Sequence, residues 1–150
     1  MKLCDYGFAT YKNTDALTAY RGTMTYMAPE IKIGKQYKGS QVDIFSLGVI
    51  LFILVQGIFP FKEARKEEYF YALLQSGNYE KYWTKTNGHG LSSAFKDLVL
   101  KLFSFNGDDR PTIEEIYAHP WMASATNYDP DRAREKLKQQ HALKSNRASS

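Results

Sequence analysis

Two stretches near the start of the chain hold reactive groups at fixed spacing. Asp5-Tyr6-Gly7 offers a carboxylate beside a glycine, and Gly22-Thr23-Met24-Thr25-Tyr26-Met27 leads into Ala28-Pro29-Glu30. A carboxylate at the end of a strand can hold magnesium, a hard cation that takes oxygen ligands and is commonly shared with substrate phosphates. Read alone, an aspartate in such a place is more often a turn residue. The loop between the two stretches carries Thr14 and Thr18, where phosphorylation would add about two negative charges and recruit arginines. Glu30 and Arg110 stand far apart, yet the planar fork of an arginine suits a two-point contact with a carboxylate. From the sequence alone they remain two unrelated surface charges. His89, His119 and His141 show no ligand spacing. The single cysteine, Cys4, excludes an internal disulfide and a cysteine-built zinc site, and is expected to be small, apolar and buried.

These groups need a scaffold, and the composition supplies one. Of 150 residues, 43% are hydrophobic and 24% charged, a balance that folds rather than stays disordered. The net charge of +4 is concentrated at the end: Asp129 to Ser150 has six basic residues against three acidic ones. The body is therefore close to neutral, which argues against a nucleic-acid partner. The apolar run Ile44 to Val55 is interrupted by Ser46 and Gly48 and is too short to span a bilayer, so no membrane partner is expected. The cytoplasm is the expected compartment, with the nucleus as an alternative.

Along the chain, Lys2 to Asp5 reads as the end of a short strand, followed by a loop to about Tyr26. Pro29 and Glu30 open a helical turn. Ser40 to Asp43 reads as a capping-box variant, Ser40 at the cap and Asp43 three positions on, ahead of a helix through Val55 that is apolar on every face. Such a helix is the central post of a helical domain and needs neighbours all round. Gly57 and Pro60 end it. Glu67 to Gln75 reads as a second helix, and Asn87-Gly88-His89-Gly90 as a turn. Phe95, Leu98, Val99, Leu102 and Phe103 recur at helical spacing after a Ser92 or Ser93 cap. Thr112 with Glu115 forms a capping box for a short helix through about Ala118, broken by Pro120. Trp83 and Trp121 read as packing anchors.

Five motifs now stand in one order: Asp5-Tyr6-Gly7, Gly22 to Glu30, Asp43 to Gly48, Gly57-Ile58-Phe59-Pro60-Phe61, and Arg110-Pro111-Thr112 with His119-Pro120-Trp121. Together they resemble the catalytic domain of a eukaryotic-type serine/threonine protein kinase, over about residues 2 to 122. The ending is loosely similar to calcium/calmodulin-dependent kinases. The resemblance implies a mainly α fold, the C-terminal lobe of that domain from its metal-binding loop onward. The small N-terminal lobe and the catalytic loop are absent from it, and 123–150 is a basic tail. It implies transfer of the ATP γ-phosphoryl group to serine or threonine of a protein substrate.

Within it Asp5 is the magnesium ligand that bridges the ATP phosphates, although Tyr6 stands where the family usually has Phe. Thr23 orients the catalytic loop; Glu30 and Arg110 form a buried salt bridge; Asp43 bonds the backbone of the catalytic loop. Thr18 is the candidate phosphosite and Thr14 the second, although the family's usual position is here Ala19. The sequence contains no Gly-rich phosphate loop, no strand lysine with its helix glutamate, and no His-Arg-Asp. The chain alone is therefore expected to be inactive without the N-terminal half. The alternative is a truncated or pseudokinase-like binding module.

Overall fold

The computed structural model describes residues 4–10 and 17–123. Among these residues seven α-helices follow one another: α1 (Pro29–Lys32), α2 (Gly39–Gln56), α3 (Tyr69–Gln75), α4 (Tyr79–Lys85), α5 (Ser93–Leu102), α6 (Ile113–Ala118) and α7 (Pro120–Ala123). Short 3-10 turns at Gly88–Gly90 and Gly107–Asp109 complete the order. Among the described residues there is no strand, only an isolated antiparallel bridge between Leu17 and Tyr37. The mainly α expectation agrees with this. Thr14 and residues 124–150, with them the tail, lie outside the described residues.

α2 is the post. Phe45, Val49 and Phe52 are fully buried in it, and their rings meet those of neighbouring elements: Phe45 with Phe61 and Phe103 at 5.9 and 5.6 Å, Phe52 stacked on Trp83 at 6.2 Å. Such pairs contribute roughly 0.5–1.5 kcal/mol each beyond the area they bury. α5 comes close at Gly48, where a Cβ would stand 2.8 Å from Leu102 Cβ and 3.1 Å from the Phe103 ring. Glycine lets α5 lie against α2. Gly57 ends α2 in the left-handed region at φ 72°, its N–H donating to the Ile53 carbonyl at 2.8 Å.

Several boundaries follow from side-chain chemistry. The Ser92 hydroxyl accepts from Phe95 N–H at 3.2 Å and starts α5. Thr112 and Glu115 exchange both bonds of a capping box, at 2.8 and 3.2 Å, and start α6.

Others depart from the sequence reading. α2 begins at Gly39 with Lys38 as its cap residue, because the extended Lys38 offers its carbonyl to Gln41 and Val42; neither Ser40 nor Asp43 caps it. The helix is thus 18 residues, longer than its apolar run and by length and composition alone enough to cross a membrane. α3 begins at Tyr69, with the Glu68 carboxylate accepting from Tyr71 N–H at 2.8 Å. α4 has no counterpart in the sequence reading. Pro120 opens α7 rather than merely ending α6, since proline suits the first helical position. Cys4 and Asp5 are irregular rather than strand. Cys4 is exposed, because no described strand pairs beside it to cover it.

Candidate functional site

The most heavily bonded side chain is Arg110. It is carried into the core by the 3-10 turn Gly107–Asp109, whose last bond is Arg110 N–H to the Gly107 carbonyl. Its Nη1 and Nη2 donate to Glu30 Oε1 and Oε2 at 2.6 and 2.7 Å. Nη1 also reaches the Gln41 carbonyl (2.8 Å), Nη2 the Phe105 carbonyl (3.3 Å) and Nε the Ser104 carbonyl (2.9 Å). All the guanidinium donors are thereby used. The side chain is 1% exposed and lies over the Phe45 ring at 5.0 Å. The structure therefore brings Glu30 and Arg110 together and ties α1, α2 and the loop after α5 to one cation.

What Arg110 holds is the segment that runs into α1. Gly22 to Tyr26 forms a turn in which the Thr23 carbonyl accepts Tyr26 N–H at 2.9 Å; Thr23 itself is exposed. Met27 and Ala28 are buried, and Pro29 stands at the start of α1, where its missing N–H costs nothing. Two hydroxyls that the sequence reading did not single out fasten this segment. Ser46, facing out of α2, donates to the Tyr26 carbonyl at 2.9 Å. Tyr37 donates to the Ala19 carbonyl at 2.7 Å, while its backbone exchanges two 3.0 Å bonds with Leu17. Thr18, between those anchors, is exposed. A serine inside an apolar helix was the one visible signal; the carbonyl partners have none. A shallow cavity of about 240 Å³, lined by Thr25, Phe59, Phe61, Lys62 and Phe70, lies beside the segment.

Asp5 is exposed and takes no part in this junction. Its backbone is left-handed at φ 64°, a region that aspartate tolerates better than most residues, and its Oδ1 accepts Gly7 N–H at 3.3 Å. Among the described residues no group of three or more His, Cys, Asp or Glu could hold a metal ion. Asp5 thus offers a single oxygen-donor residue facing solvent. Asp43 is exposed as the fifth residue of α2, on the same stripe as Leu47, Ile50 and Leu54, which are 39, 44 and 74% exposed. Desolvation by the surrounding protein raises its pKa above 3.8.

Two further groups are buried near the framework. The Tyr71 hydroxyl has no hydrogen-bond partner among the described residues, and burial pushes its pKa well above the usual 10.0. His119 is buried, with Nε2 2.8 Å from Asp97 Oδ2 and Nδ1 accepting the Trp121 N–H at 3.2 Å. That acceptor role fixes the proton on Nε2, so His119 latches α7 to α5.

The chain matches the family model described as protein kinase domain over residues 1–122. It is 36% identical over 135 residues to the human SNF-related serine/threonine-protein kinase, covering 86% of this chain and 17% of that protein. It is 35% identical over 125 residues to the probable serine/threonine-protein kinase MARK-A of Dictyostelium discoideum, covering 83% of this chain and 11% of the relative. Against the mouse sperm motility kinase 2B the identity is 30% over 138 residues, 91% of this chain and 27% of the relative. The chain thus spans about a tenth to a quarter of the length of these relatives.

Proposed function

We propose, since this chain belongs to the protein kinase family and to its eukaryotic serine/threonine branch, that it forms the peptide-docking C-terminal lobe of a domain that transfers the ATP γ-phosphoryl group to protein serine or threonine. The observation that carries this reading is the Arg110 junction. It fixes the Gly22 to Ala28 segment to the helical core through Glu30, and phosphoryl transfer depends above all on holding the acceptor in place. Asp5 fits magnesium as one hard ligand among several: its carboxylate is exposed, and magnesium keeps waters and phosphate oxygens for its other positions. When bound, that ion would neutralise charge on the phosphates. Thr23 is exposed in the turn, where its hydroxyl is available to orient the catalytic loop. Thr18, exposed beside the Leu17–Tyr37 bridge, is accessible to phosphorylation.

The partner in this reading is the N-terminal half of the domain. The Asp43, Leu47, Ile50, Leu54 stripe is where it packs: an apolar face with one carboxylate at its end, which makes no hydrogen bond to a described residue. The sequence itself lacks the general base, the phosphate lysine and the second metal ligand, so the chain alone should be inactive. The substrate is a protein, and the chain acts in the cytoplasm, with the nucleus as the alternative. An extended polypeptide, or a chimera with a related kinase's N-terminal half, should phosphorylate serine or threonine only with magnesium. Asp5→Asn should lower that rate by roughly a thousandfold or more. An extension that folds and binds ATP yet transfers nothing to protein would leave the lobe as a binding module.

A further inference from the structure

Between α3, the start of α4 and the end of α5 with the loop after it lies a cavity of about 350 Å³, a volume typical of small-ligand sites. Its walls divide by chemistry. Tyr79, Leu100 and Phe105 give it aromatic and aliphatic surface, while Gln75, Ser104 and Asp109 bring an amide, a hydroxyl and a carboxylate. The Asp109 side chain is exposed, and no hydrogen bond or ion pair joins its carboxylate to another described residue. The Phe105 ring already draws a cation: the Lys66 ammonium lies 5.6 Å from its centroid.

The polar wall is also stiff. Arg110 holds the carbonyls of Ser104 and Phe105 at 2.9 and 3.3 Å, and Asp109 N–H is bonded to the Asn106 carbonyl at 3.1 Å. A ligand entering here would find its partners already placed, which lowers the ordering cost of binding. An anion would meet the Asp109 charge, and a neutral apolar molecule would strip water from that carboxylate without replacing it. A cation on an apolar body meets both walls.

We propose that this cavity is a binding site for a small organic cation, an ammonium on an aryl or short alkyl body, with its charge at Asp109 and its body against Tyr79 and Leu100. The site does not depend on whether the chain transfers phosphate. Its ligand would press on Ser104 and Phe105, two of the three residues whose carbonyls Arg110 holds, so occupancy should reach the buried Arg110 Nε–H.

Benzylammonium, titrated into the full chain labelled with 15N-arginine, tests this. Saturable displacement of the Arg110 Nε–H resonance is expected, with affinity at least about tenfold lower for Asp109→Asn, which loses one charge-assisted contact. Leu100→Trp, which fills the cavity from the apolar wall and keeps the carboxylate, should abolish the shift, and an unchanged shift in it would overturn the proposal; this variant keeps the test decisive if Asp109→Asn disturbs folding. Benzyl alcohol should bind at least about tenfold more weakly than the cation. No saturable shift with the unaltered chain, equal affinity in Asp109→Asn, or equal affinity for benzyl alcohol would overturn the proposal.

Discussion

The Arg110 junction and the Asp5–Thr23 loop are both needed for the kinase reading, and they are built in opposite ways. Arg110 is sealed: its two bonds to Glu30 and three to backbone carbonyls all come from this chain. Among the described residues the Asp5 carboxylate has one bond, a 3.3 Å contact inside its own turn, and the Thr23 side chain is open to solvent. The difference separates two jobs. A group that positions the framework must be satisfied before substrate arrives, since a buried guanidinium without partners is costly. A group that meets magnesium, nucleotide or another loop must keep its bonding capacity in reserve. Sealing either of the second kind would remove its chemistry.

Substitutions can break or sharpen this contrast. The largest effect should come from Arg110→Ala, which strands Glu30 and three carbonyls at a cost of roughly 3–5 kcal/mol in urea unfolding. Lysine should not rescue it, lacking the planar fork. In a double-mutant cycle with Glu30→Ala the two losses should fall well short of additive; simple additivity would mean that the junction is not one unit. Next comes a contrast within α2. Gly48→Ala should cost roughly 1–3 kcal/mol because its methyl must enter space 2.8 Å from Leu102 Cβ. Ile50→Ala, on the exposed stripe, should stay within about 0.5 kcal/mol. Equal costs would show that the stripe is packed in solution.

A smaller effect should appear in acid. Lys101 and then His119 hold Asp97 below its ordinary 3.8, Lys38 and Gln41 do the same for Asp108, and Lys32 for Glu63 below 4.5. A lowered folded-state pKa means that each contribution is complete above the ordinary value and is lost as pH falls through the lowered one. Thermal stability should therefore be flat in these groups above about pH 5 and decline below pH 4, less steeply in Asp97→Asn. The smallest effect is expected at the open loop: Asp5→Asn and Thr23→Val should each move the stability of this chain by less than about 0.5 kcal/mol. A large loss from Asp5→Asn would mean that the aspartate is structural, and the contrast with Arg110 would fail.

What was legible in the sequence was whatever local chemistry announces. Ser92, the Thr112–Glu115 pair and Gly57 each satisfy or release backbone groups within a turn of themselves, so their positions mark helix ends directly. α4 was not legible because its buried residues, Tyr82 and Trp83, are adjacent rather than spaced at a helical period; they are buried by Phe52 and Pro60 from elsewhere. The start of α2 was misplaced because Ser40 and Asp43 fit a cap by type, while the backbone of Lys38 took that role two residues earlier. At the site, motif order pointed to Glu30 and Arg110 as partners. The carbonyls of Gln41, Ser104 and Phe105 could not be read, since a backbone acceptor is the same whatever residue carries it.

The outer stripe of α2 gives the chain a stability that is set partly by mass action. Leu47, Ile50 and Leu54 leave apolar surface that water penalises, and any polypeptide that covers it binds the folded form in preference to the unfolded one. Once such a partner exceeds its Kd, each further tenfold rise in its concentration adds about 1.4 kcal/mol to the folded state. A melting temperature measured on the chain by itself is therefore only the lower end of a range. In a cell, the amount of this protein that escapes proteolysis would rise and fall with the supply of whatever occupies that face.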